Sequence, residues 1–426
     1  MGNYLTSDKR PRLVYKEINH FKNKMKTHKM RLYPDKQTEQ KMIETTELCR
    51  QTYNTLLGEL NNQKEIDRSQ IQGIIPDMKI ADHQFLKLYS KTMQYECYRL
   101  FSNLQGLTKS KDKKRKVGSL RYKGKKWFKT FTYNQSGFKL IDTGKRCQIL
   151  HLSKIGNIPI RCHSNIDRKI KQITIKHEAS GKWFASIIEE TGPKPKIKTE
   201  IKKVVGIDVG LDNIIYDSDN HFIKNPRHLK KNEAKLKSLH SKMSHKKKGS
   251  KNRNKMRVRL ARQYEKITNI RNDFLHKTSH YYVTNYDAIG MENMPMTVKN
   301  NIFAKSRLDA SWGKLRQYIA SKAESAGKLY AQVDYRGTTQ KCSQCGTEVR
   351  KELWDRTHKC VCGFTAPRDY NSALEVKKRL IKEIGWESSE YTLVEIPLMT
   401  ELLQDRSTSY ASVKQEATFL GLGVVH

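Results

Sequence analysis

Apolar positions change their spacing several times along this chain, and each change marks an element. Thr27 to Tyr33 alternates closely enough for a strand, which Pro34 and Asp35 interrupt. Met42, Ile43, Cys49, Tyr53, Leu56, Leu57 and Leu60 then recur at helical spacing over residues 37–62. Phe85, Leu86, Leu88, Tyr89, Met93, Tyr98 and Phe101 do the same over about 82–104. Residues 129–190 read as β-rich: Phe131–Tyr133 is a short strand, and Ile170–Ile175 and Trp183–Glu189 flank the turn Glu178-Ala-Ser-Gly-Lys182 as a hairpin. A linker comes next, near 192–202, with Pro193, Pro195 and alternating lysines. The first 195 residues are thus a mixed unit with a helical block inserted between strands.

The second half has a different rhythm. Val204 to Gly210 is an apolar strand carrying one acid near its end, and Ile214–Tyr216 continues it as another strand. Residues 228–284 are helical, and Tyr286–Glu292 is a strand that ends in an acid. Leu308, Trp312, Leu315, Ile319 and Ala323 share one helical face, which Gly327 terminates. Leu329–Tyr335 is a further strand, and Asp369 opens a last helix through Ala373, Leu374, Val376 and Leu380. No internal repeat is visible.

Charge adds what the pattern cannot. Among 426 residues, 83 Lys and Arg face 43 Asp and Glu, a formal +40, and so basic a surface calls for a polyanion. No apolar run nears the roughly 18 residues that span a bilayer, and the charged N-terminus is not that of a secretory signal. A membrane partner is not expected, because no amphipathic anchor helix accompanies the charge. Ribosomal and chromatin proteins are equally basic, so charge alone leaves enzyme and packaging protein both open.

The excess is concentrated. Residues 109–127 carry Lys113, Lys114, Arg115, Lys116, Arg121, Lys125 and Lys126, interleaved with the aromatic residues Tyr122, Trp127 and the adjoining Phe128. That pairing suits nucleic acid, since aromatic rings stack on bases while cations meet phosphates. Between Pro226 and Asn285 there are 18 Lys and Arg against 3 acids. Lys246, Lys247, Lys248, Lys251, Arg253 and Lys255 split this stretch into a helical hairpin with a cationic tip. Residues 1–26 form a basic arm, and 383–426 reverse the sign with seven acids against two cations.

Four of the eight cysteines lie within 21 residues: Cys342 and Cys345, with two residues between them, then Cys360 and Cys362, with one. A glycine succeeds each pair and permits the tight turn beneath an ion. Four thiolates suit one structural, tetrahedral Zn²⁺, with no ligand position open to water. The shorter second pair departs from the commonest spacing, and reduced loop cysteines or an iron–sulfur cluster are the other readings.

Asp208, Glu292 and Asp369 each sit at a strand end or helix start. In a ribonuclease-H-like sheet such positions converge, and three carboxylates brought together repel unless cations lie between them. Two Mg²⁺ ions about 4 Å apart would activate a water and stabilise a leaving 3′ oxygen. Singly, each acid reads as a cap or surface group, Asp369 as an N-cap in particular. Asp212 and Asp287 are neighbours without the strand-end context; Asp334 is a weak substitute.

Gly206-Ile-Asp-Val-Gly-Leu211, Ile289-Gly-Met-Glu-Asn293, the two cysteine knuckles and Arg368-Asp-Tyr-Asn-Ser-Ala373 occur in that order, and the whole resembles the TnpB family of insertion-sequence nucleases. Arg31-Leu-Tyr-Pro34 and Cys49-Arg-Gln-Thr-Tyr-Asn54 extend the resemblance to about 29–380. It implies a multidomain α+β and α/β chain. A β-barrel-like wedge domain over 27–195 would hold a helical recognition block inserted at about 36–128. A RuvC-like domain would occupy 196–340 and 367–385, with a zinc ribbon over 341–366 and an acidic, disordered tail over 386–426. It also implies an RNA-guided DNA endonuclease in the cytoplasm of a bacterium or archaeon, associated with the nucleoid. Guide RNA and target double-stranded DNA would be its partners. The catalytic acids fall on Asp208, Glu292 and Asp369, and the zinc ligands on Cys342, Cys345, Cys360 and Cys362. Pro367 departs from the family, which often has an acid there. A compact type V CRISPR effector, a DNA-joining transposase and a non-enzymatic nucleic-acid-binding protein are the competing readings.

Overall fold

The computed structural model describes residues 25–385, except 64–66, 113–114, 145, 191, 193–194, 196–199, 294–303 and 353. The expected acidic tail, Lys113, Lys114 and the basic arm up to residue 24 lie outside the described residues. The chain forms two compact units.

The first unit comprises residues 25–193 and 238–264. Strand β1 (Met25–Leu32) turns His28, Met30 and Leu32 inward. Asp35 caps helix α1 (Lys36–Asn62) by accepting from the Thr38 N–H at 2.7 Å. Met42, Cys49, Tyr53, Leu56 and Leu60 of α1 lie in the core, as their spacing predicts. Next comes helix α2 (Arg68–Ala81), absent from the sequence-based expectation, and a 3-10 turn over His83–Lys87. Only then does helix α3 (Ser90–Asp112) begin, so the helix expected over 82–104 starts later and runs further.

Strands β2 (Thr130–Asn134), β3 (Phe138–Ile141), β4 (Gln148–Leu152), β5 (Gly156–Arg161), β6 (Ile170–His177) and β7 (Trp183–Glu190) complete this part of the chain. With β1 they build a seven-stranded sheet ordered β2-β6-β7-β1-β5-β4-β3. Every ladder in it is antiparallel. The resemblance implied a barrel-like unit; among the described residues no ladder joins the terminal strands β2 and β3.

The second unit comprises residues 194–237 and 265–385. Strand β8 (Val204–Asp208) is buried at every position; β9 (Asn213–Asp217) pairs antiparallel with it, and β10 (Phe222–Lys224) pairs antiparallel with β9 at the sheet edge. Short helix α4 (His228–Lys231) leads to α5 (Glu233–Ser244) and the 35-residue α6 (Lys251–Asn285), of which residues 238–264 belong to the first unit. Strand β11 (Ala288–Glu292), also wholly buried, returns parallel to β8. Such continuous apolar runs are what a parallel strand covered on both faces requires.

Helices α7 (Ala304–Ala310) and α8 (Trp312–Ser325) replace the single helix expected over 308–323. The break falls at Ser311, whose φ of 53° is left-handed. Two residues earlier stands Asp309, which is buried and accepts from the Leu229 and Lys230 N–H groups and from Arg271. Strand β12 (Leu329–Val333) is parallel to β11, and the sheet order is β10-β9-β8-β11-β12. Phe274, Leu275 and Tyr282 of α6 join Trp312, Leu315 and Ile319 of α8 in one core with Val205, Ile207, Ile289 and Met291.

A small hairpin of β13 (Thr357–Lys359) and β14 (Thr365–Pro367) precedes helix α9 (Arg368–Ile384). Val376 and Leu380 of α9 pack with Val204, Ala288 and Val333 in a second core. Helix α9 meets β8 backbone to backbone: a Cβ on Gly206 would stand 2.3 Å from the Ala373 carbonyl oxygen and 2.3 Å from the Lys377 nitrogen. Gly206→Ala should therefore push α9 away, costing about 3 kcal/mol, the upper end of the overpacking range. Urea unfolding of the full chain reads this directly. No helix among the described residues is long and apolar enough to cross a membrane.

Candidate functional site

The parallel pairing of β8 with β11 sets Ile207 opposite Met291, so Asp208 and Glu292 leave adjacent strands at the same level. In open α/β sheets this carboxyl edge is where ligands bind. Helix α9 supplies Asp369 from its first turn. Pro367, not Asp369, occupies the N-cap position, and no side chain caps the helix there. The Asp369 carboxylate is therefore not spent on capping, and Arg368 Nε approaches it at 3.3 Å.

The three acids feel one another. Burial pushes the Asp208 carboxyl well above its ordinary range, and the Glu292 and Asp369 carboxylates push it further. Glu292 is raised by burial above all; Asp369 adds to this, while the Thr338 hydrogen bond and Arg379 oppose it. Two buried acids raised by burial and by a neighbouring part-buried carboxylate form a donor set suited to cations, and a divalent ion reverses the sign of that interaction.

Several supporting residues carry no signature in the sequence. The Thr338 hydroxyl lies 2.5 Å from Glu292 Oε1, and Arg316 Nη1 donates to the Glu292 carbonyl at 3.2 Å. Asn371 accepts from the Ser343 N–H at 2.9 Å and donates to the Lys341 carbonyl at 2.8 Å, tying α9 to the first knuckle. It stands within the Arg368–Ala373 motif, where nothing in the sequence pattern marks this role. The other acids have other duties. Asp212 pairs with Arg227 and Arg356, Asp287 accepts from the Lys202 and Lys203 N–H groups, and Asp334 is exposed and closes a turn with the Arg336 N–H.

The sulfurs of Cys342, Cys345, Cys360 and Cys362 all lie within 4.8 Å of one another. Among the described residues this is the one such compact His/Cys/Asp/Glu cluster. Each knuckle closes on its glycine: the Gly346 N–H donates to the Cys342 carbonyl at 2.9 Å and Gly363 to Cys360 at 3.0 Å, with φ of 81° and 86°. Hydrogen bonds from Thr347 draw the Cys345 thiol down to about 6. The thiols of Cys342, Cys360 and Cys362 are instead raised, that of Cys342 by burial above all, and a bound cation would draw all four down.

The basic candidates separate into exposed and engaged groups. Arg115, Lys116, Arg121, Tyr122, Lys125, Lys126 and Trp127 are exposed, Trp127 at 74%. Phe128 instead packs on Tyr53. Their loop is pinned to α1, since Arg50 and Asn54 donate to the Lys123 carbonyl and the Lys123 N–H donates back to Asn54. Lys246, Lys247, Lys248, Lys251 and Lys255 are exposed at the α5–α6 turn. Arg253 differs: its Nη1 donates to the Met243 and Lys246 carbonyls at 2.9 and 3.0 Å, so it closes that turn.

Comparison with known proteins fits this arrangement. Residues 186–301 match a family profile described as a probable transposase, 312–376 one described as a Cas12f1-like TNB domain, and 25–65 one described as a helix-turn-helix domain. The last segment is a strand and one long helix here. A protein of Streptomyces pristinaespiralis, provisionally named an RNA-guided DNA endonuclease, is 32% identical over 208 residues, covering 48% of this chain and 51% of its own length. InsQ of Escherichia coli K12, with the same provisional name, is 26% identical over 378 residues, covering 83% of this chain and 92% of its own. The chain thus spans about half of the first relative and nearly all of the second.

The solved Cas12f1–sgRNA–target DNA complex superposes with a TM-score of 0.52 at 14% identity, over 84% of this chain and 99% of that one. The mini-RNA-guided endonuclease CRISPR-Cas_phi3 gives 0.51 at 8%, over 84% and 92%. The fold is therefore of the compact Cas12f class, mixed α/β with a zinc-ribbon-like insertion. Within it, the chain is similar over parts of its length to probable transposases of this kind and to proteins named TnpB-like or RNA-guided DNA endonucleases.

Proposed function

We propose that this protein is an RNA-guided DNA endonuclease that hydrolyses phosphodiesters at Asp208, Glu292 and Asp369, with guide RNA and target double-stranded DNA as its partners. The observation that carries this reading is that Asp208 and Glu292 stand at the carboxyl edge of a parallel strand pair, both held above their ordinary range by burial and by the Asp369 carboxylate from α9, a helix tied directly to a four-cysteine cluster. In this reading residues 27–195 are the wedge domain with its recognition insertion. Residues 196–340 with 367–385 form the RuvC-like domain, and 341–366 the ribbon. Names borne by relatives support the activity.

Asp208, Glu292 and Asp369 would hold two Mg²⁺, and the four cysteines one structural Zn²⁺. Bound Mg²⁺ supplies charge neutralisation at the attacked phosphate and lowers the pKa of a coordinated water. The chain's own contribution is placement. Strands β8 and β11 fix two carboxylates on a buried sheet, and α9 brings the third from its N-terminal turn, where the helix dipole favours an ionised acid. The test is to purify the protein with its RNA, sequence that RNA, and present DNA matching it. Cleavage that needs Mg²⁺ and the matching RNA supports the proposal; RNA-independent cleavage or end-joining sinks it.

The exposed lysines at the α5–α6 turn would contact phosphates. Replacing Lys246, Lys247, Lys248 and Lys251 with Ala should flatten the slope of log affinity against log salt by up to about one unit per lost contact. Sequence preference should be unaltered, because phosphate contacts position and base contacts specify. Coincident slopes in a salt titration would remove the turn from the nucleic-acid surface.

A further inference from the structure

We propose that Thr338 is a positioning residue for the metal-holding acids: its hydroxyl clamps the Glu292 carboxylate, and the cysteine ribbon clamps Thr338. This rests on the metal-site reading above and extends it to a residue outside the acids themselves.

Thr338 is 2% exposed, in the turn that carries the chain from β12 into the first knuckle. Its Oγ1 lies 2.5 Å from Glu292 Oε1 and 3.0 Å from the Tyr335 carbonyl. With one proton to give, it serves the nearer, charged acceptor. One oxygen of Glu292 is thereby fixed in direction and the other left for a ligand. Partners of this kind set the orientation and basicity of a metal-binding carboxylate.

The turn is itself held from the ribbon. Its backbone closes through the Thr338 N–H to Tyr335, Gln340 to Gly337 and Lys341 to Gly337. The Lys351 ammonium donates to the Thr339 carbonyl at 2.5 Å and is hydrogen-bonded to Nδ1 of the buried His358. His358 packs on Phe364, which shares a small core with Cys342. A continuous path of contacts thus runs from the cysteine cluster through His358, Lys351 and the Thr338 turn to Glu292. Asn371 makes a separate link to α9, two residues from Asp369.

The test is Mn²⁺ binding to the full-length, zinc-loaded, RNA-free chain, read as loss of the free-ion electron paramagnetic resonance signal. Thr338→Val keeps the shape and removes the hydroxyl, whereas Thr338→Ser keeps the hydroxyl. The valine variant should weaken Mn²⁺ binding by at least about tenfold, the usual cost of losing such a partner, and serine should restore most of it. In the RNA-bound complex, the Mg²⁺ concentration for half-maximal cleavage should rise in parallel. Unchanged Mn²⁺ affinity in Thr338→Val overturns the proposal. So does a serine variant as weak as valine, or a valine variant that has also lost its zinc, because the turn would then be holding the ribbon rather than the carboxylate. Glu292→Ala is the control: if it too binds Mn²⁺ as the wild type does, the metal-site reading itself is what fails.

Discussion

Asp208→Ala and Glu292→Ala should each reduce guided DNA cleavage by at least about a thousandfold, which is roughly 4 kcal/mol of lost transition-state stabilisation. DNA binding should be retained or slightly tightened. Both acids are at least nine-tenths buried at the sheet edge, so neither offers a surface to a base. Each removal deletes one negative charge from a site already strained by like charges, so the folded state should tolerate it; burial and the neighbouring carboxylates are what hold Asp208 above its usual range. A filter-binding assay beside a cleavage assay separates the two effects. Cleavage within tenfold of wild type in either variant would remove that acid from the catalytic set.

Cys345→Ser should strip about one zinc per chain and disable cleavage without touching the acids. Isolated zinc fingers draw about 10–16 kcal/mol of apparent folding free energy from the ion at neutral pH, so losing a ligand is felt as unfolding of the ribbon. Here the damage has a defined route. Ser343 and Lys341, in the first knuckle, are the partners of Asn371, and Asn371 sits in the same helical turn as Asp369. Amide hydrogen exchange should accelerate between residues 334 and 371, while the seven-stranded sheet of the other unit stays protected. Metal analysis showing full zinc in Cys345→Ser would contradict the ribbon reading.

Strands β8 and β11 were legible because burial on both faces leaves an unbroken apolar run, and the acids at their ends were legible as interruptions of it. Helix α2 was not. Gly73 and Pro76 both argue against a helix, yet Asp67 caps it and Ile71, Ile75 and Met78 bury one face, so tertiary packing wins. Strands β3, β4 and β5 hid in a stretch read only as β-rich, since their pairing depends on partners outside any local window. The Ser311 break was hidden for a related reason. The apolar positions of α7 and α8 keep helical register, and the buried Asp309 beside the break meets groups some 80 residues away. Thr338 and Arg253 had no pattern to give them away, because a single hydroxyl or guanidinium finds its partner only in three dimensions.

The place of β1 in its sheet bears on how the protein is made. The strand lies between β7 and β5, so both its partners are synthesised later: Leu32 pairs with Ile160 and with Trp183. At about 5–20 residues per second, the ribosome leaves this central strand without neighbours on either edge for roughly six to twenty-five seconds. Pairings so distant in sequence are slow to form, and an unpaired strand is a template for wrong partners. Lys29 and Arg31 alternate with the inward-facing Met30 and Leu32, and Lys26 adds a third cation near the start of β1. Their charge keeps the nascent strand from pairing with another chain until its own sheet arrives.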